Sequence, residues 1–137
     1  YGEGEKPNRL LPQLMQAAQE GSAIDLTSGI QERDFTCVHD VAEGLLRLAL
    51  CPHPPKLLNL GTGRLLSVRE FCRVAAKVFA MPEEHLRFGT RTDRDDEMKH
   101  EPVNISRLTS ALEWQPTNDV REGIQRAWNA RIEKEDS

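Results

Sequence analysis

The side chains in this sequence best suited to hold an anionic ligand are its arginines, because a planar guanidinium matches two phosphate oxygens at once. Arg33 opens the segment Arg33-Asp34-Phe35-Thr36-Cys37-Val38, which has the composition of a short strand. Phosphate contact and an ion pair with Asp34 or Asp40 are the two uses open to it. Arg91 and Arg94 fall in a polar, charge-dense stretch from Thr90 to His100, where a run of solvated charge is the competing use. Asn59 lies at the end of an apolar run, where open α/β sheets present groups to ligands; bonding to local backbone is the alternative. The turn Gly61-Thr62-Gly63 is rich in glycine, but its continuation is wrong for a cradle that seats a pyrophosphate on a helix N-terminus. The three cysteines, Cys37, Cys51 and Cys72, form no CxxC pair, and the four histidines show no HxxxH or HxH spacing. Neither a disulfide framework nor a metal site is expected; the cysteines read as small buried hydrophobes.

These residues must be positioned by one domain of ordinary size, 137 residues with 38% hydrophobic and 29% charged content. A net charge of −4 has the wrong sign for nucleic-acid binding. No apolar run approaches the roughly 20 residues that span a bilayer. The opening residues show no signal-peptide pattern and no initiator Met, so the expectation is a cytoplasmic chain cut from something longer.

The spacing of Leu10, Leu11, Leu14, Met15 and Ala18 predicts a helix over Asn8–Glu20, stopped by Gly21. Short strands are expected at Ala23–Thr27 and Arg33–Val38. Asp40 stands at an N-cap position with Glu43 three residues on, ahead of a helix whose inward face is Val41, Leu45, Leu48 and Ala49 and which must end before Pro52. Leu57-Leu58-Asn59-Leu60 reads as a strand covered on both faces, as in a parallel sheet. Ser67, with Glu70 at the capping-box position, starts a helix to about Ala80 that turns Val68, Phe71, Val74, Ala75 and Val78 inward. Leu86–Phe88 is an expected edge strand, and helices are expected over Ile105–Leu112 and Asn118–Lys134, with Trp114 in the core between them. The fold class is α/β. One covered strand needs neighbours, and the sequence supplies too few of them, so partner strands are expected outside this chain.

Taken in order, these segments resemble the extended short-chain dehydrogenases/reductases, the group of nucleotide-sugar epimerases and 4,6-dehydratases. Tyr1-Gly2-x-Gly4-Glu5 resembles that family's YGPGE turn, with Glu3 in place of Pro, and Arg9-Leu10-Leu11-Pro12 its RL-I/L-P helix start. Arg33 through Ala42 is similar to RDFxYVxDVA, with Cys37 replacing an aromatic. Leu58 through Gly63 resembles YNIGTG, and Ser67 through Phe71 resembles SVxEF. Arg94-Asp95-Asp96-Glu97, Ser106-Arg107-Leu108 and Leu112 through Pro116 follow the pattern R-P-x-D/E, SKA, LGWxP, with Glu113 in place of Gly.

The resemblance implies the C-terminal portion of such a protein, an incomplete Rossmann sheet plus a small α/β substrate-binding domain, over residues 1–137. It implies binding of a nucleotide diphosphate sugar, with substrate contacts at Arg9, Leu10, Pro12, Arg33, Asn59 and Arg94; Arg91 is the rival to Arg94. Ile24 and Leu26 either wall a base pocket or pack in the core, while Asp34 braces a loop or an arginine. The family's GxxGxxG turn and YxxxK pair have no counterpart here: the sole tyrosine, Tyr1, has Lys6 five residues later. The resemblance therefore implies NAD or NADP in a full-length parent (an isomerase or lyase) and neither cofactor-binding nor catalytic residues in this chain. The implied partners are an N-terminal Rossmann half and, in the parent, a second copy of itself. A non-catalytic binding module and a reductase acting on a non-sugar substrate are the alternatives.

Overall fold

The computed structural model describes residues 1–93, 95 and 97–135. Helix α1 spans Leu10–Glu20, and Leu11, Leu14, Met15 and Ala17 are its buried side chains. Gly21 ends it in the left-handed region at φ 63°, where a side chain would be strained, and the next amide, Ser22 N–H, returns to the Ala17 carbonyl at 2.9 Å. Strand β1 (Ile24–Leu26) runs parallel to β4 (Leu86–Phe88), with Ile24 opposite Leu86 and Leu26 opposite Phe88. Strand β2 (Glu32–Arg33) pairs antiparallel with β3 (Leu66–Ser67). Helix α2 spans Val38–Leu50, α3 Val68–Val78, α4 Ser106–Leu112 and α5 Val120–Glu135; a 3-10 turn at Glu83–His85 precedes β4.

The core lies where α1, α3 and α5 meet the β1–β4 pair. Phe71, Cys72 and Ala75 of α3 are at most 1% exposed, as are Leu11 and Leu14 of α1 and Ile124 of α5. Helix α3 starts as its sequence requires. Ser67 Oγ accepts from the Glu70 amide at 3.1 Å, and the Glu70 carboxylate accepts from the Ser67 amide at 3.1 Å, a closed capping box. Such a cap contributes about 1 kcal/mol. Cys37 and Cys72 are buried and Cys51 is half-buried, all as free thiols, and burial pushes the Cys72 thiol up to about 12.

Five sequence expectations fail. Leu57–Leu60 forms no strand, and Leu57 is 71% exposed. No strand of the described chain lies beside it, so its amides and carbonyls have no ladder to join. The strand expected over Arg33–Val38 is only Glu32–Arg33, because its partner β3 is two residues long and α2 begins at Val38. Asp40 does not cap α2. The cap position is Cys37, and the Val38 amide is satisfied across the chain by the Tyr1 carbonyl at 2.8 Å. Asp40 is instead buried and accepts from the Thr117 and Asn118 amides (3.2 and 3.1 Å) and from Asn118 Nδ2 (2.7 Å), tying α2 to the entry of α5. Glu43, its expected capping partner, pairs with Arg47 one turn on, at 2.6 Å.

The fourth concerns the faces of α2. Gly44 is its packed position, since an added Cβ would stand 2.6 Å from Leu60 and 3.0 Å from the Trp114 ring. Leu45, expected inward, is 55% exposed, Ala49 is exposed, and Leu46 and Leu50 are 56% and 74% exposed. Trp114 is half-buried rather than core, with the Arg47 guanidinium 5.8 Å from its ring centroid. None of the helices among the described residues is long and apolar enough to cross a membrane.

Candidate functional site

Arg33 is placed by local structure on both sides. Its backbone is fixed in the β2–β3 ladder opposite Leu66. Two residues on, the Phe35 ring stacks on Phe71 with centroids 4.0 Å apart, and Tyr1 meets both rings edge-on. Tyr1 is anchored in turn, because its backbone nitrogen donates to the Thr36 carbonyl at 2.9 Å. Burial, with the nearby acidic groups, holds the Tyr1 phenol far above its ordinary value, so it stays protonated at any working pH.

Arg33 lies on the wall shared by two cavities. The first, about 470 Å³, is also lined by Arg9, Leu10, Asn8, Phe35 and Val68. The second, about 390 Å³, shares Asn8, Leu10, Arg33 and Val68 and adds Leu26, Gln13, Gln31, Arg91, Asp93 and Glu97. Arg33 forms an ion pair with Glu97 and donates through Nη1 to the Glu32 carbonyl at 2.7 Å. The ion pair with Asp34 or Asp40, the alternative use of Arg33, is thus not the one formed. Two further cations, Arg9 and Arg91, line one or the other of these cavities. Apolar walls with a few convergent charged and amide groups are the usual make-up of a small-molecule site.

Of the residues picked out from sequence, Arg9, Leu10 and Arg33 come together, and Leu26 joins them while Ile24 packs on the core. Pro12 lines a separate cavity with Met15, Ala127 and Arg131. Asn59 is exposed and donates to the Asn104 carbonyl at 3.0 Å, a backbone group 45 residues on rather than a local one, away from the Arg33 cavities. Arg94 lies outside the described residues. Glu97, Asn8, Gln13 and Gln31 were not singled out in the sequence. Glu97 had a signal, the last position of the Arg94-Asp95-Asp96-Glu97 motif, whereas the amides had none.

The Gly61–Gly63 turn does not fit a dinucleotide pyrophosphate. The Thr62 and Gly63 amides, which would have to face phosphate oxygens, already donate to the Asp34 carboxylate at 3.0 and 2.8 Å. Asp34 thus braces a loop, one of its two expected uses. Among the described residues no group of three His, Cys, Asp or Glu side chains could hold a metal ion.

An α/β arrangement of this kind recurs in solved structures. A dTDP-glucose 4,6-dehydratase of Bacillus anthracis, in complex with NAD, superposes with a TM-score of 0.85 at 19% identity, over 99% of this chain and 43% of that one. A UDP-glucose 4-epimerase of Thermotoga maritima, with UDP-glucose, gives 0.85 at 19%, over 98% and 43%. At such identity the likeness defines the fold class, that of the extended short-chain dehydrogenases. In sequence, a CDP-abequose synthase of Salmonella muenchen is 25% identical over 130 residues, covering 92% of this chain and 43% of that protein. The family model described as GDP-mannose 4,6 dehydratase matches residues 2–127. The chain belongs to that family of extended short-chain dehydrogenases, the NAD-dependent nucleotide-sugar epimerases and dehydratases, and it corresponds to their C-terminal portion. It spans about two fifths of the length of these relatives.

Proposed function

We propose that this chain is the nucleotide-sugar-binding portion of an NAD- or NADP-dependent epimerase or 4,6-dehydratase, and that Arg33 grips the diphosphate. The observation that carries this reading is the place of Arg33 on the wall common to two cavities, with Arg9 beside one and Arg91 beside the other. A diphosphate there would replace the Glu97 carboxylate as partner of the guanidinium, one planar pair of oxygens for another. Leu10, Leu26 and Val68 offer an apolar wall to the rest of the ligand, and Asn8, Gln13 and Gln31 offer amides. Contacts of this kind act at a distance from the reacting carbon and turn binding energy into orientation of the sugar ring.

In this reading the dinucleotide and the hydride step at the sugar belong to a Rossmann half that this chain docks against, since its own glycine turn is taken by Asp34. The seat for that half is the face bearing Leu45, Leu46, Leu50 and Leu57, each more than half exposed. The unpaired Leu57–Leu60 run beside it would then join the sheet that its composition fits.

Calorimetric titration of the chain with UDP-glucose, dTDP-glucose, GDP-mannose and CDP-glucose tests the proposal. One or more should bind, and Arg33→Ala should weaken that binding by at least about thirtyfold, the usual effect of truncating one partner of a charge-assisted pair. Failure of all four to bind, or equal binding by the variant, overturns it.

A further inference from the structure

Asp34 makes more of its side chain than a neighbour of a ligand-gripping arginine needs to. Its carboxylate accepts from four donors: Thr36 Oγ1 at 2.9 Å, the Thr62 amide at 3.0 Å, Thr62 Oγ1 at 2.8 Å and the Gly63 amide at 2.8 Å. Three of these lie across the chain, in the turn that follows the unpaired Leu57–Leu60 run. The approach is close enough that a Cβ added at position 61 would crowd the carboxylate, standing 3.0 Å from Asp34 Oδ2. Hydrogen bonds to a carboxylate acceptor are among the strong ones.

We infer that Asp34 is a positioning residue for Arg33: by clasping the Thr62–Gly63 turn it holds the backbone that places Arg33 on the shared cavity wall. The inference rests on the diphosphate role given to Arg33 above. The segment bearing Arg33 is only two residues of strand long and pairs with an equally short partner. A two-residue ladder does little to fix a side chain that must meet two phosphate oxygens in register. Beyond it, the Phe35–Phe71 stack fixes the following residue from one side, and the Asp34 clasp fixes the stretch from the other. A guanidinium carried on backbone held from both sides loses less freedom on binding, which raises affinity without adding a contact to the ligand. Because the clasped turn adjoins Leu57–Leu60, the same contact ties the arginine cavity to the outward apolar face.

The test compares Asp34→Ala and Asp34→Asn with the parent chain, at a temperature where circular dichroism shows each variant folded. Asp34 is itself among the residues lining the first cavity, where loss of its charge alone would favour an anion; titrated with the same four sugar nucleotides, Asp34→Ala should nonetheless bind about tenfold more weakly if positioning dominates. Asp34→Asn, which keeps one acceptor oxygen for Thr62, should fall between. A folded Asp34→Ala with parental affinity overturns the inference and leaves Asp34 a purely structural brace. Should Asp34→Ala fail to fold, Asp34→Asn alone decides by the same criterion. If the parent chain binds none of the four, the diphosphate reading has failed separately. Nitrogen-15 relaxation of the Arg33 Nε–H then reads the positioning role directly: it should become more mobile in Asp34→Asn, and unchanged mobility overturns it.

Discussion

Two sides of this molecule treat leucine in opposite ways. On one side, Leu11 and Leu14 of α1 pack against Phe71, Cys72 and Ala75 of α3 and Ile124 of α5, all at most 1% exposed. On the other, Leu45, Leu46 and Leu50 of α2, and Leu57 after it in the chain, are 55–74% exposed. The α2 side is not polar by composition: it carries the residue types of a buried face with nothing on it. The contrast teaches that the first side is complete within this chain, while the second is shaped for contact. Several large apolar side chains left outward in this way are the make-up of an interaction site in a folded protein.

Truncation should separate the two sides most sharply. Phe71→Ala is expected to destabilise by about 4 kcal/mol, because it opens a cavity where Phe35 and Tyr1 pack. Leu46→Ala should change stability by no more than about 0.5 kcal/mol. Urea unfolding of the two variants checks this, and comparable losses would erase the distinction. Next in size is Asp40→Ala, expected to cost about 3 kcal/mol, since the Thr117 and Asn118 amides lose a charged acceptor at a buried position. Its signature is early loss of protection at the start of α5 in hydrogen exchange.

Ser67→Ala should cost about 1 kcal/mol by opening the capping box of α3. A pH signature accompanies it. Hydrogen bonds from Ser67 hold the Glu70 carboxyl below its ordinary value of 4.5, so the folded state takes up that proton less readily than the unfolded one. The stability this pair contributes is therefore present above pH 4.5 and is lost as pH falls through the lower folded value. The gap in thermal midpoint between the parent chain and Glu70→Gln should narrow over that range and be flat at neutral pH. Smallest of all on stability is Leu46→Glu with Leu50→Glu, expected to leave unfolding unchanged. On the interface reading it lowers self-association of the chain in sedimentation velocity. A double variant that unfolds more easily would show that this face is covered within the chain after all.

Much of the packed side was legible in the sequence because its rules are local. The 3.6-residue spacing of Leu10 to Ala18, the Gly21 stop and the Ser67–Glu70 box each name their own structure within one or two helical turns. The bounds of α1, α3 and β4 accordingly came out within a few residues of expectation. Arg33, Arg9 and Leu10 were legible as a group through motif order. Their gathering with Arg91 and Glu97 on the wall of two cavities was not, because residues up to 88 apart in sequence meet there. Asp34 and Asp40 show the limit most clearly. Both are acidic residues in one short motif, yet one clasps a turn near residue 62 and the other ties down residues 117–118.

What the sequence determined by itself was the family, the helix faces that pack locally, and the arginines available to an anion. What only the tertiary structure decided was which acceptor each buried amide finds and which leucines are left outward. The physical reason is that a helix cap is satisfied within four residues of chain, whereas a strand or an apolar face is satisfied only by whatever surface is brought beside it. Leu57–Leu60 carries the composition of a covered strand and, with no strand next to it among the described residues, remains outside any sheet.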